Sequence, residues 1–189
     1  MRIAFLAAAV VPALLISGQA IAGITVIGSS PGYSCYQRAL ANDGSRDALD
    51  QCDFAFQTGM LTLHDEVATF VNRGIVKLAG GRHEAAIADF DRAIQRDPEQ
   101  PESYLNKGSA IIRMQGNSAS AIPLFNEALK RKTRKPELAY YARGIAHEVS
   151  GNLNAAYRDY KRASELAPSW KEPAAELTRF QVIPASSAK

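Results

Sequence analysis

From Val67 onward the chain repeats one order of large, small and polar positions with a period of about 35 residues. An aromatic stands at Phe70, Tyr104 and Tyr140, and four residues later comes a glycine, at Gly74, Gly108 and Gly144. Alanine follows at Ala86, Ala121 and Ala156, then a second aromatic at Phe90, Phe125 and Tyr160, then alanine again at Ala93, Ala128 and Ala163. Pro98 and Pro168 close the first and third copies. These spacings place the marked residues of each half on one helical face. Each copy therefore predicts two antiparallel helices. Gly80-Gly81, Gly116-Asn117 and Gly151-Asn152 punctuate the copies at their midpoints, where glycine and asparagine tolerate positive φ.

The physical content of the pattern is close helix packing. A glycine inside a helix costs roughly 1 kcal/mol relative to alanine, so three at one phase need a packing reason. Removing the side chain lets a second helix approach, and its aromatic, flanked by alanines, fills the notch. The predicted fold class is all-α, an α-solenoid of consecutive antiparallel helix pairs.

This order of aromatic, glycine, alanine, aromatic, alanine and proline resembles the tetratricopeptide repeat family, best over Phe70-Val71-Asn72-Arg73-Gly74 and on through Ala86, Phe90, Ala93 and Pro98. One departure is Lys77, where the family usually has an aromatic; Ile111 and His147 hold the equivalent places. The resemblance implies a right-handed superhelix whose first helices line a concave groove for a peptide or helix. Carried over, the groove positions are Val71, Asn72, Ile75, Leu78 and Ala79 in the first copy, and Leu105, Asn106, Ser109, Ile112 and Arg113 in the second. The third supplies Tyr141, Ala142, Ile145, Glu148 and Val149. Asn72 and Asn106 match single positions of the family's carboxylate-clamping sites, but the lysines of such a clamp are missing. The groove is expected to be largely apolar with amides for peptide backbone. The same positions could equally serve packing between copies.

Upstream, residues 33–66 read as a degenerate helix pair. Ala48, Cys52 and Ala55 keep the second-helix spacing, which places Cys35 at the close-approach position and Cys52 in the aromatic slot. Two cysteines in a chain that reads as exported argue for a disulfide; a redox-active pair is the alternative, without a C-x-x-C motif. Thr62 with Asp65, and Ser169 with Glu172, read as helix starts. Trp170, Ala174, Leu177 and Phe180 or Gln181 then form the stripe of a terminal capping helix, which a repeat stack needs to close its apolar end.

Met1-Arg2, an uncharged apolar run to Ile16, and Ala20-Ile21-Ala22 make a secretory signal peptide with cleavage expected after Ala22. The run is shorter than the roughly 20 apolar residues that span a bilayer, so no integral membrane segment is expected after cleavage. The expected organisation is thus a signal peptide (1–22), linker (23–32), degenerate pair (33–66), three copies (67–100, 101–136, 137–170), capping helix (171–181) and flexible tail (182–189). The location expected is periplasmic or secreted, in an exported bacterial type of the family.

Charge adds little. Of 22 basic residues the leader carries Arg2, which leaves 21 against 19 acidic, or +2, and no argument for nucleic acid. His64, His83 and His147 lack metal-ligand spacing, and no phosphate loop or nucleophile motif occurs. Asp89, Asp91 and Glu127 read as a solvated face with Arg92 and Lys130. The basic run over residues 130–135 ends a helix, where cations suit the dipole, or forms a patch for an acidic partner or a membrane surface. The expected function is a non-catalytic protein-interaction adaptor without cofactor. The alternatives are an accessory subunit of an envelope enzyme or secretion complex, and a thiol redox protein using Cys35 and Cys52.

Overall fold

A computed structural model describes residues 2–5, 22–26, 30–114 and 118–183. The degenerate pair is α1 (Tyr33–Leu40) and α2 (Arg46–Gln57). The first regular copy is α3 (Leu63–Ala79) and α4 (His83–Arg96). The second is α5 (Pro101–Arg113) and α6 (Ile122–Lys130), with a 3-10 turn, Ser118–Ala121, leading into α6. The third is α7 (Pro136–Val149) and α8 (Leu153–Leu166), followed by α9 (Lys171–Leu177). Nine helices among the described residues pack as consecutive antiparallel pairs, a helical solenoid. The one exception is a ribbon in which β1 (Arg2–Phe5) pairs antiparallel with β2 (Phe180–Ile183), Arg2 opposite Ile183 and Phe5 opposite Phe180.

Polar side chains fix where helices start. Thr62 accepts from the Asp65 amide (3.1 Å), Ser45 from Ala48 (3.1 Å) and Asn152 from Ala155 (3.2 Å), each satisfying a donor that the helix itself leaves unpaired. Gly81 (φ +73°) and Gly151 (φ +79°) take the left-handed turn between paired helices. The matching turn at Gly116 and Asn117 lies outside the described residues.

Packing inside each pair is the glycine–aromatic interlock. A Cβ built on Gly108 would lie 2.8 Å from the Phe125 ring, and one on Gly144 2.8 Å from Tyr160; one on Gly74 would run into Phe90. All three aromatics are buried, as are their flanking alanines. In the degenerate pair a disulfide does this work. Cys35 on α1 and Cys52 on α2 are fully buried and joined, with a Cα–Cα distance of 4.5 Å. Closing a loop of this separation, 17 residues, constrains the unfolded chain by roughly 3 kcal/mol. Replacing both cysteines with serine should cost about that much in urea denaturation. An unchanged midpoint would show that the helices need no covalent link.

The two ends depart from expectation. Ser169 caps nothing: the Trp170 amide bonds back to the Ala167 carbonyl (3.0 Å), so the chain is still turning there, and α9 starts at Lys171 without a side-chain cap. That helix stops at Leu177 rather than 181, and Phe180 enters the core on β2 against Tyr157 and Tyr160 (centroids 5.8 and 5.9 Å). Of the expected tail, residues 182 and 183 belong to β2, and the remainder lies outside the described residues. Of the expected leader, residues 2–5 and 22 are described. Residues 22–26, partly assigned to a linker, are instead an extended segment sunk among the first helices.

Candidate peptide-binding groove

Asn72 on α3 and Asn106 on α5 occupy the same place in consecutive first helices, and both are fully buried. A buried primary amide has several hydrogen bonds to satisfy. Here they turn to an extended backbone. The Ile24 amide donates to Asn72 Oδ1 (3.1 Å) while Asn72 Nδ2 donates to the Ile24 carbonyl (2.9 Å). Asn106 Nδ2 donates to the Ala22 carbonyl (3.1 Å), and its Oδ1 has no partner among the described residues. Ala22, Ile24 and Val26 are buried, Gly23 is half-buried and Thr25 is exposed: the alternation of a strand with one face inward. Gly23 allows close approach, since a Cβ there would stand 3.3 Å from Asn72 Oδ1.

The other proposed groove residues divide by copy. Val71, Ile75 and Leu78 are buried in one apolar cluster with Ile24 and Val26, and Leu105 and Ile112 are buried in the cluster that holds Ala22. Ser109 turns its hydroxyl back to the Leu105 carbonyl (2.9 Å). Arg113 is half-buried, and burial lowers its pKa. Ala79 is half-buried on α3.

The third copy is closed off by the C-terminal elements. Tyr141 packs its ring on Tyr160 and Trp170 (centroids 5.6 and 4.7 Å) and its hydroxyl meets Glu176 (3.4 Å). Burial first, and then the Glu176 charge, hold its phenol above the ordinary range. Glu148 accepts from the Tyr160 hydroxyl (2.7 Å) and takes both Arg179 nitrogens at 2.8 Å. Ile145 is buried, Val149 is exposed, and Ala142, at the place of the two asparagines, is buried with no amide to offer. The amide-lined part of the groove is therefore the stretch across α3 and α5.

The family model for the tetratricopeptide repeat matches residues 71–132 and 113–169, together just over half of the chain. The chain belongs to the tetratricopeptide repeat family. It is 33% identical over 93 residues to tetratricopeptide repeat protein 6 of Homo sapiens, covering 49% of this chain and 17% of that protein. It is 25% identical over 146 residues to RNA polymerase II-associated protein 3 of Homo sapiens, covering 77% of this chain and 22% of that one. The chain thus spans under a quarter of either relative's length. Tetratricopeptide repeats are typically non-catalytic modules for binding other proteins.

Within these tetratricopeptide repeats two charged features sit differently from the sequence reading. Asp89 is not on a solvated face. It is fully buried, accepts from Arg73 Nε (2.8 Å) and Nη2 (2.7 Å), and pairs with Lys77 (2.6 Å). Arg73 also reaches Asp53 of α2 (2.6 Å) and lies 4.5 Å over the Phe56 ring, which ties the degenerate pair to the first copy. Desolvation works against the Arg73 charge, but its bonds to Asp89 and Asp53 outweigh that and raise its pKa. Arg143 and Asp159 repeat the bidentate pair in the third copy (2.8 and 2.8 Å). Lys77 and His147, the departures from the family pattern, are thus neighbours of a buried carboxylate, at 2.6 and 3.9 Å. The sign was available: arginine precedes the glycine and aspartate precedes the second aromatic in both copies.

The basic run is partly an internal joint. Arg131 pairs with Glu127, donates to the Pro98 carbonyl (2.7 Å) and lies 4.8 Å over Tyr104. The Arg134 amide donates to buried Glu102 (3.0 Å). Lys130, Lys132, Arg134 and Lys135 remain exposed at the surface. Among the described residues no group of His, Cys, Asp and Glu is arranged to hold a metal, and no helix is long and apolar enough to cross a membrane.

Proposed function

We propose that this protein is an exported, non-catalytic adaptor that holds an extended segment of a partner polypeptide across α3 and α5, in the cell envelope, after removal of its leader behind Ala22. The observation that carries the reading is the pair Asn72 and Asn106. Two fully buried amides at equivalent positions of successive helices point at peptide backbone. A helix stack needs no amide at these places, as Ala142 shows in the third copy. Backbone bonds supply affinity for any sequence, and the apolar walls from Val71, Ile75, Leu105 and Ile112 select what lies between. Signal-like order at the start of the chain and the joined cysteines support export.

Crosslinking in intact cells, followed by affinity purification, tests the groove. Asn106→Ala should retain the helical circular dichroism of the unaltered protein and lower recovery of its crosslinked partners about tenfold, the scale of one buried hydrogen-bond partner lost. Equal recovery would rule the groove out as the contact. N-terminal sequencing of the purified protein should read Gly-Ile-Thr-Val from Gly23; a chain still starting at Met1 refutes the export reading.

A further inference from the structure

The amide-lined part of the groove is filled by the chain itself. Its occupant has the features of a bound peptide rather than of a core strand. Among the described residues, the segment 22–26 shares no backbone hydrogen bond with any helix or strand; side-chain amides hold it instead. Asn72 reads both polar groups of one residue, Ile24, as a neighbouring strand would, and does so without regard to the side chain there. Selectivity comes from burial at every second position, with Ile24 and Val26 set among Val71 and Ile75. Among the described residues, the helices draw none of their backbone hydrogen bonds and none of their glycine–aromatic interlocks from this segment, the condition for it to leave as a local unit.

Resting on the groove reading above, we propose that residues 23–26 are a built-in competitor, and that the partner segment displacing them shares their chemistry. That segment is extended, without charged side chains, apolar at alternate positions, and small where it passes Asn72. Leader removal behind Ala22 sharpens the arrangement. It takes away the carbonyl that Asn106 Nδ2 holds, on an amide whose Oδ1 has no partner among the described residues, while both Ile24 contacts to Asn72 survive. In the shortened chain Asn72 is filled in cis and Asn106 is the open position where an incoming backbone gains its first bonds. A groove occupied in cis binds with an affinity reduced by the fraction of time it stands open.

The probe is a fluorescent, acetylated peptide with the sequence of residues 22–30, read by anisotropy on the full chain. Aspartate does not fit the buried Ile24 site without a large desolvation cost. Ile24→Asp should therefore free the groove and tighten probe binding by about tenfold or more, and adding Asn72→Ala should abolish that gain. Equal, tight binding by the unaltered and Ile24→Asp chains would overturn the competitor and leave the groove reading intact. Absence of binding by both would overturn the two together. Hydrogen exchange on the unaltered chain keeps the proposal falsifiable should Ile24→Asp fold poorly. The Ile24 amide should be protected, and excess probe should release it. Protection that persists under saturating probe marks a fixed structural strand and overturns the proposal. Protection that vanishes on dilution, together with a dimer in sedimentation, assigns the segment to exchange between two copies and overturns it equally.

Discussion

Asp89→Leu is expected to lower the unfolding free energy by about 3–5 kcal/mol, the range for breaking a buried ion pair by removing one partner. The carboxylate is fully buried, and the Arg73 and Lys77 side chains around it are only 11% and 18% exposed. Removing it takes the carboxylate from Lys77 and leaves Arg73 with Asp53 alone, in a space that water reaches poorly. The chain holds its own control. In the second copy the equivalent places carry Lys107 and Leu124, and Lys107 reaches back to the exposed Asp91 (2.5 Å) instead. Arg73→Lys combined with Asp89→Leu should therefore recover much of the loss, because lysine can extend toward solvent where the planar guanidinium is held. Urea denaturation of both variants decides it. A double variant no more stable than Asp89→Leu alone would mean that the loss lies in packing and not in stranded charge.

The second large effect is expected at Phe125. Truncation to alanine should cost about 3–5 kcal/mol, since the ring is fully buried and packed against the Gly108 backbone. The same ring sits against the bare Cα of Gly108, so the site is sensitive from both sides. Gly108→Ala gains helix propensity, yet its methyl would press on the ring at 2.8 Å, a distance real contacts do not show. The net result should be a loss of about 1–3 kcal/mol from overpacking. Phe125→Leu with Gly108→Ala should cost less than the two separate losses together, because a smaller side chain makes room for the methyl. Strict additivity in calorimetry would show that the two residues do not share a contact.

Both predictions concern features that differ in how plainly the sequence displays them. The glycine and the aromatic of each copy belong to one helical hairpin, and the whole copy recurs, so the interlock appears as a period. Cys35 and Cys52 are legible for the same reason: they fall in the register of the glycine and the aromatic that their pair lacks. The spacing of Asp89 to Arg92 suggests a surface pair, whereas the groups that hold it most closely come from the preceding helix. Tyr141 and Glu148 sit at groove positions by repeat register, yet Trp170 at the end of the last copy and Glu176 and Arg179 beyond it cover them.

What the amino-acid order determined by itself is the stack of helix pairs, its notches and its covalent clasp. Each depends on residues close in sequence, whose spacing dictates which face they share. Only the tertiary structure decided what lies along the first helices, that Ala22, Ile24 and Val26 turn inward, and that Phe180 leaves the last helix to close the core on a strand. Ile24 meets Asn72 across 48 positions and Ala22 meets Asn106 across 84. Contacts at that range follow no period. Any short segment with alternating apolar residues satisfies a buried amide equally well, so which one does so is settled by where the folded helices leave room.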